Sequence, residues 1–174
     1  MATVRCVGDD RSASSIWVLV VEDFEPFRRF VCSTLTKRPE MQIVAEASDG
    51  LEAVQKAEEM QPDLIMLDVG LPTLNGIEVA RRIRKLSPRS KILFVSQESS
   101  ADVVEMALSL GARGYVAKTR IGIELQAAID AVLGGGQFVQ FWLSPTIRLP
   151  PIDLTLYSFR QDVARSPAFH SHEG

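Results

Sequence analysis

Between Ile16 and Gly134 the chain alternates short apolar runs with amphipathic helical runs five times over, and this alternation restricts the fold more than any other feature. The first run, Ile16-Trp17-Val18-Leu19-Val20-Val21, is apolar at every position, as in a strand buried on both faces. Residues 42–47, 64–67, 91–95 and 114–117 predict four further strands. Pro26 opens the first helix, with Phe27, Phe30, Val31 and Leu35 on one face. Asp49 and Asn75 each stand three residues ahead of a glutamate, Glu52 and Glu78, the spacing of a capping box. Val54 and Ala57 are expected to face inward from the second helix, which Pro62 ends, and Ile77, Ala80 and Ile83 from the third. Ser100 starts a fourth helix carrying Val103, Ala107 and Leu110 and closed by Gly111. The fifth carries Ile121, Leu125, Ala128, Ile129 and Val132 and stops at Gly134-Gly135-Gly136.

Strands that alternate with helices imply a parallel sheet with right-handed crossovers. The expected fold is therefore α/β: a doubly wound, five-stranded parallel sheet of flavodoxin-like order 2-1-3-4-5, with helices on both faces. Residues 1–14 read as an N-terminal extension, 15–136 as the folded unit, and 137–174 as a C-terminal tail. In that tail Pro145, Pro150, Pro151 and Pro167 interrupt any apolar period. The formal charge of -3 argues weakly against broad nucleic-acid binding. The one basic cluster, Arg81-Arg82-Ile83-Arg84-Lys85, has the spacing of a solvated helix face. Cys6 and Cys32 offer neither a disulfide framework nor metal-ligand spacing. With no apolar run of membrane-spanning length and no secretory leader pattern, a cytoplasmic location is expected.

Four of the strands run directly into polar residues: Glu22-Asp23, Asp68, Ser96 and Lys118. In an open parallel sheet the carboxyl edge, near the reversal of strand order, is where ligands bind. Taken singly, each has an ordinary reading as a turn, cap or surface residue. Their joint placement, each immediately after its own apolar strand, points to one site. Three carboxylates at one edge repel unless a cation joins them, and an all-oxygen donor set suits Mg²⁺. Asp68 could then act as a nucleophile towards a phosphoryl group, with Lys118 and the metal neutralising its oxygens and the Ser96 hydroxyl donating to one of them.

Four segments carry a family resemblance: Val18-Leu19-Val20-Val21-Glu22-Asp23, the run from Pro62 through Asp68 to Pro72, Asn75-Gly76-Ile77-Glu78, and Gly111-Ala112-Arg113-Gly114-Tyr115-Val116-Ala117-Lys118. In order and spacing they closely resemble response-regulator receiver domains, most of all those that precede LuxR-type output domains. The resemblance implies Asp68 as phosphoacceptor, with Ser96 and Lys118 as its hydroxyl and lysine. It implies a Mg²⁺ site formed by Glu22, Asp23, Asp68 and the Gly70 carbonyl. Tyr115 matches the switch aromatic, against the alternative of an ordinary edge aromatic, and Gly70 and Glu98 fall at variable positions beside the site. The implied partners are a sensor histidine kinase or phosphotransfer protein and an unidentified output partner. A homodimer through the first and last helices is a further option, as in some relatives; direct DNA contact is not expected.

Two departures from the family pattern stand out. Many receivers carry a proline after the lysine, in a cis peptide, where this chain has Thr119. A cis bond to a non-proline costs roughly 2.5–4 kcal/mol, and the sequence leaves the geometry at Lys118-Thr119 open. The residues after Gly136 also lack the helical period of an output domain, which needs on the order of sixty residues. A stand-alone receiver and a transcription regulator with a truncated output both remain, as does a pseudo-receiver that works without phosphorylation. Enzymatic readings fit poorly. A haloacid-dehalogenase-type phosphatase wants a second acid two residues beyond its nucleophile, where this chain has Gly70. A dinucleotide site wants a glycine-rich turn where Glu22-Asp23 stands.

Overall fold

The computed structural model describes residues 15–139. The expected N-terminal extension with Cys6, and residues 140–174 of the expected tail, lie outside the described residues. The elements run β1 (Ile16–Val21), α1 (Glu25–Leu35), β2 (Met41–Ala47), α2 (Gly50–Met60), β3 (Leu64–Leu67) and α3 (Gly76–Leu86). They continue with β4 (Lys91–Ser96), α4 (Ala101–Ser109), β5 (Gly114–Ala117), a 3₁₀ turn (Lys118–Arg120), α5 (Ile121–Leu133) and β6 (Phe138–Val139). The sheet order is β2-β1-β3-β4-β5-β6 and every pairing is parallel.

Strand period two divides the core. Leu19, Val21, Ile65, Leu67, Ile92, Phe94 and Tyr115 face α2, α3 and α4, meeting Ala53, Ala57, Val79, Ala80, Ile83, Val104 and Ala107. Val18, Val20, Leu64, Met66, Leu93, Val95 and Val116 face the other way, against Val31 and Leu35 of α1 and Ile121, Leu125, Ala128, Ile129 and Val132 of α5. Both sheet faces are thus covered, which is why the central strands are apolar at every position. Among the described residues no helix is long and apolar enough to cross a membrane.

The sheet has six strands where five were expected. After the glycine turn, in which Gly135 adopts φ 87, the chain returns to the sheet and Phe138 and Val139 pair with Gly114 and Tyr115. Two apolar residues behind three glycines carry no period, so nothing local announces this strand. Its place comes from Gly114: a Cβ there would lie 2.7 Å from Leu93 Cδ1 and 3.2 Å from the Phe138 carbonyl oxygen. Of the residues expected to face inward from α2, α3 and α4, Ala57, Ala80, Ile83 and Ala107 are buried, and Val54, Ile77 and Val103 pack against the core without full burial. Ala53, Val79 and Val104 are fully buried, while Val54, Ile77 and Val103 are half-buried, and Phe30 of α1 is 44% exposed.

Candidate functional site

Because all the strands are parallel, Glu22, Asp23, Asp68, Ser96 and Lys118 emerge at one edge. They line a single open cleft of about 800 Å³, together with Phe24, Phe27, Gly70, Glu98 and Thr119. Lys118 bridges two of its carboxylates, with its Nζ 2.6 Å from Asp68 Oδ2 and 2.6 Å from Glu22 Oε2. The same ammonium sits 4.8 Å from the centre of the Phe27 ring, a cation–π contact. None of the Lys118, Glu22 and Asp68 side chains is more than 10% exposed.

That burial sets the electrostatics. Withdrawal from water pushes the Glu22 carboxyl above its usual range, and the neighbouring charge of Asp68 adds to the effect, while the hydrogen bond from Lys118 opposes it. Burial alone would lower the Lys118 ammonium, but its hydrogen bonds to Asp68 and Glu22 outweigh that and hold it above its usual value. One cation faces two buried carboxylates, and Asp23 stands beside them. An oxygen from each of Glu22, Asp23 and Asp68 falls within 4.8 Å of the other two. This surplus of negative charge and its all-oxygen chemistry fit a hard divalent cation, Mg²⁺ among them.

Local structure explains why Asp68 is so placed. Its N–H donates to the Val21 carbonyl at 3.0 Å, carrying the β1–β3 ladder one residue past the strand. Its Oδ1 accepts from the Gly70 N–H at 3.2 Å. Behind it, α3 begins at Gly76, where a Cβ would lie 2.0 Å from the Asp68 carbonyl oxygen. Only glycine lets the helix abut the backbone of the aspartate. Asn75 caps that helix by accepting from the Glu78 N–H at 3.0 Å. Glu78 does not close the expected capping box, because its carboxylate pairs with Arg81 and Arg82 instead. In α2 the Glu52 carboxylate reaches back to the Ser48 N–H at 2.9 Å, one residue earlier than a strict box, while Asp49 caps Leu51 and Glu52.

On the far wall, the buried Ser96 hydroxyl oxygen accepts from the Glu98 N–H at 3.2 Å. The Tyr115 hydroxyl donates to the Glu98 carbonyl, and its ring, fully buried, stacks on Phe94 with centroids 5.8 Å apart. Burial pushes the Tyr115 hydroxyl up to about 12. Tyr115 is therefore an interior residue tied to the loop that follows Ser96, and the ordinary edge aromatic does not describe it. Every peptide among the described residues is trans, Lys118-Thr119 included.

Two residues escaped the sequence reading. Phe27, expected only as part of an apolar helix face, carries the Lys118 ammonium. Arg28 donates through Nη1 to the Glu22 carbonyl at 2.6 Å and the Asp23 carbonyl at 3.5 Å, and through Nε to Glu46 at 3.2 Å. The one signal available was a basic residue in the first turn of a helix that follows an acidic pair.

The model of the response regulator receiver domain family matches residues 18–130. Among curated relatives, the transcriptional regulatory protein DegU of Brevibacillus brevis is 32% identical over 126 residues, covering 72% of this chain and 53% of DegU. The chain thus spans about half the length of the curated relatives it matches. Among solved structures, a LuxR-family two-component response regulator from Aurantimonas sp. SI85-9A1 is 32% identical, with a TM-score of 0.70 over 75% of this chain and 93% of that one. The response regulator domain of Thermotoga maritima CheB is 34% identical, with a TM-score of 0.64 over 69% of this chain and 97% of its own. From its strand order, its acidic edge and these matches, the chain belongs to the response regulator receiver domain family.

Proposed function

We propose that this chain is a working phosphoryl acceptor of a cytoplasmic two-component system, taking the group on Asp68 from a sensor histidine kinase or phosphotransfer protein. The observation that carries the reading is the buried Asp68 carboxylate, open to the cleft and held between the Lys118 ammonium and the Gly70 N–H. An Asp68 oxygen forms a bond to phosphorus as the phosphorus–nitrogen bond of the donor's phosphohistidine breaks and the imidazole leaves. Lys118, already 2.6 Å from Asp68, would neutralise one of the phosphoryl oxygens. Ser96 would exchange its bond from Glu98 for one to the phosphoryl group. The loop carrying Glu98 then moves, and with it the carbonyl that holds Tyr115. Glu22, Asp23, Asp68 and the Gly70 carbonyl would hold Mg²⁺, which when bound supplies the positive charge that the acidic cluster lacks.

The receiver unit is read as residues 15–136, and the start of the C-terminal tail, Phe138 and Val139, forms β6 against its β5 edge. The output is read as contact with a partner protein rather than with DNA. The test is incubation with acetyl phosphate, with and without Mg²⁺, followed by intact mass. Wild type is expected to gain one phosphoryl group only with Mg²⁺, and Asp68→Asn, nearly isosteric, to gain none while staying folded. Equal labelling of Asp68→Asn and wild type would overturn the assignment.

A further inference from the structure

The three carboxylates of the acidic cluster are not held alike. Glu22 is fixed by Lys118 and by the Phe24 N–H, which donates to its Oε1 at 3.2 Å. Asp68 is fixed by Lys118 and the Gly70 N–H. Asp23 is exposed, and among the described residues its carboxylate has no hydrogen bond or ion pair. Its position therefore depends on its backbone, and that backbone is gripped by Arg28. The Arg28 side chain is 17% exposed, and its Nη1 donates to the Glu22 and Asp23 carbonyls. Its Nε is anchored to Glu46 at the end of β2. A rigid planar fork is suited to this task, since its donors are held in fixed directions where those of an ammonium rotate on a flexible stem.

We infer that Arg28 is a positioning residue for the cation site: it holds the Glu22–Asp23 peptide so that the Asp23 carboxylate stands ready beside Glu22 and Asp68. The inference rests on the proposed Mg²⁺-dependent receiver function. Two effects of the guanidinium oppose one another. Its charge repels an incoming cation, but its hydrogen bonds go to the Glu22 and Asp23 carbonyls and to Glu46, and it does not line the cleft. Its hydrogen bonds order a loop that three like charges would otherwise spread. Partners that orient metal ligands are commonly worth about tenfold or more in metal affinity, which outweighs the repulsion of one partly solvated charge. Glu46 has a lesser part, because the grip on the carbonyls runs through Nη1 and not through the Nε that Glu46 receives.

The test titrates MgCl₂ alone into the full chain and follows the Asp23 and Gly70 amide signals by NMR, which reads metal binding without any turnover. Arg28→Met is expected to raise the Mg²⁺ dissociation constant roughly tenfold. Arg28→Lys should fall between it and wild type, and Glu46→Gln should stay within about twofold of wild type. Thermal unfolding in EDTA checks that each variant is folded. If Arg28→Met binds Mg²⁺ as well as wild type or better, the inference fails, whatever the variant does to stability. A loss in Glu46→Gln as large as in Arg28→Met would place the effect in the ion pair and also overturn it. Wild-type chain that binds no Mg²⁺ would overturn the receiver reading, and this inference with it.

Discussion

Glu22, Asp68, Ser96 and Lys118 were legible because each is the first polar position after an apolar run, with Asp23 directly behind Glu22, a signal that needs no tertiary knowledge. Glu22, Asp23, Asp68, Ser96 and Lys118 all line the cleft for that reason. Arg28, Phe27 and the close approach of Gly76 to Asp68 were not legible, because each acts through a partner fixed only when the chain folds. The arrangement carries a cost visible at Glu22. Its carboxyl is raised by burial, with Asp68 adding more and Lys118 opposing. A carboxyl raised in the fold favours folding fully below its unfolded value, near about 4.3. That contribution is lost as pH rises through the higher folded value. At neutral pH ionised Glu22 therefore costs stability, since Lys118 already has Asp68 to neutralise it. Glu22→Gln is expected to unfold at higher urea than wild type at pH 7 without Mg²⁺, by about 1 kcal/mol, with the gain shrinking towards pH 4. A loss of stability, or a gain indifferent to pH, would contradict this account.

At the scale of elements, β1, β3 and β5 begin and end where the apolar runs do. The helices were found by their caps and glycines. Their inward faces were legible from the helical period: Ala57, Ala80, Ile83 and Ala107 are buried and Val54, Ile77 and Val103 pack against the same core, while the full burial of the neighbouring Ala53, Val79 and Val104 depends on how each helix meets the sheet. β6 shows the opposite limit. A two-residue strand has no period to read and exists because β5 offers it an edge at Gly114. Filling that space therefore bears on β6 more than on β5. In Gly114→Ala the new methyl must move Leu93 and crowd Val132 of α5, whose side chains can yield, and press on the Phe138 carbonyl, which is backbone. The Phe138 amide, which donates to the Arg113 carbonyl at 2.9 Å, should exchange with deuterium faster in this variant. The accompanying loss of about 1 kcal/mol is at the low end for overpacking. Unchanged exchange at Phe138 would mean that Gly114 does not set the approach of β6.

As a whole, the described residues form a sheet packed on both faces, with the acidic cluster of Glu22, Asp23 and Asp68 at one edge. Such a fold holds an acidic cluster because the two cores stabilise it from outside the site, and a ligand that neutralises the cluster returns stability to the entire unit. By mass action, Mg²⁺ at about ten times its dissociation constant adds about 1.4 kcal/mol to the folded state. For a domain of this size that corresponds to a rise in Tm of about 5 °C. Wild type should show the rise on passing from EDTA to MgCl₂, while Glu22→Gln and Asp68→Asn, each lacking a carboxylate of the proposed cation site, should show much less. Glu22→Gln should thus lie above wild type in EDTA and lose that lead as Mg²⁺ saturates. Equal shifts in all three proteins would mean that the cation binds away from the cluster.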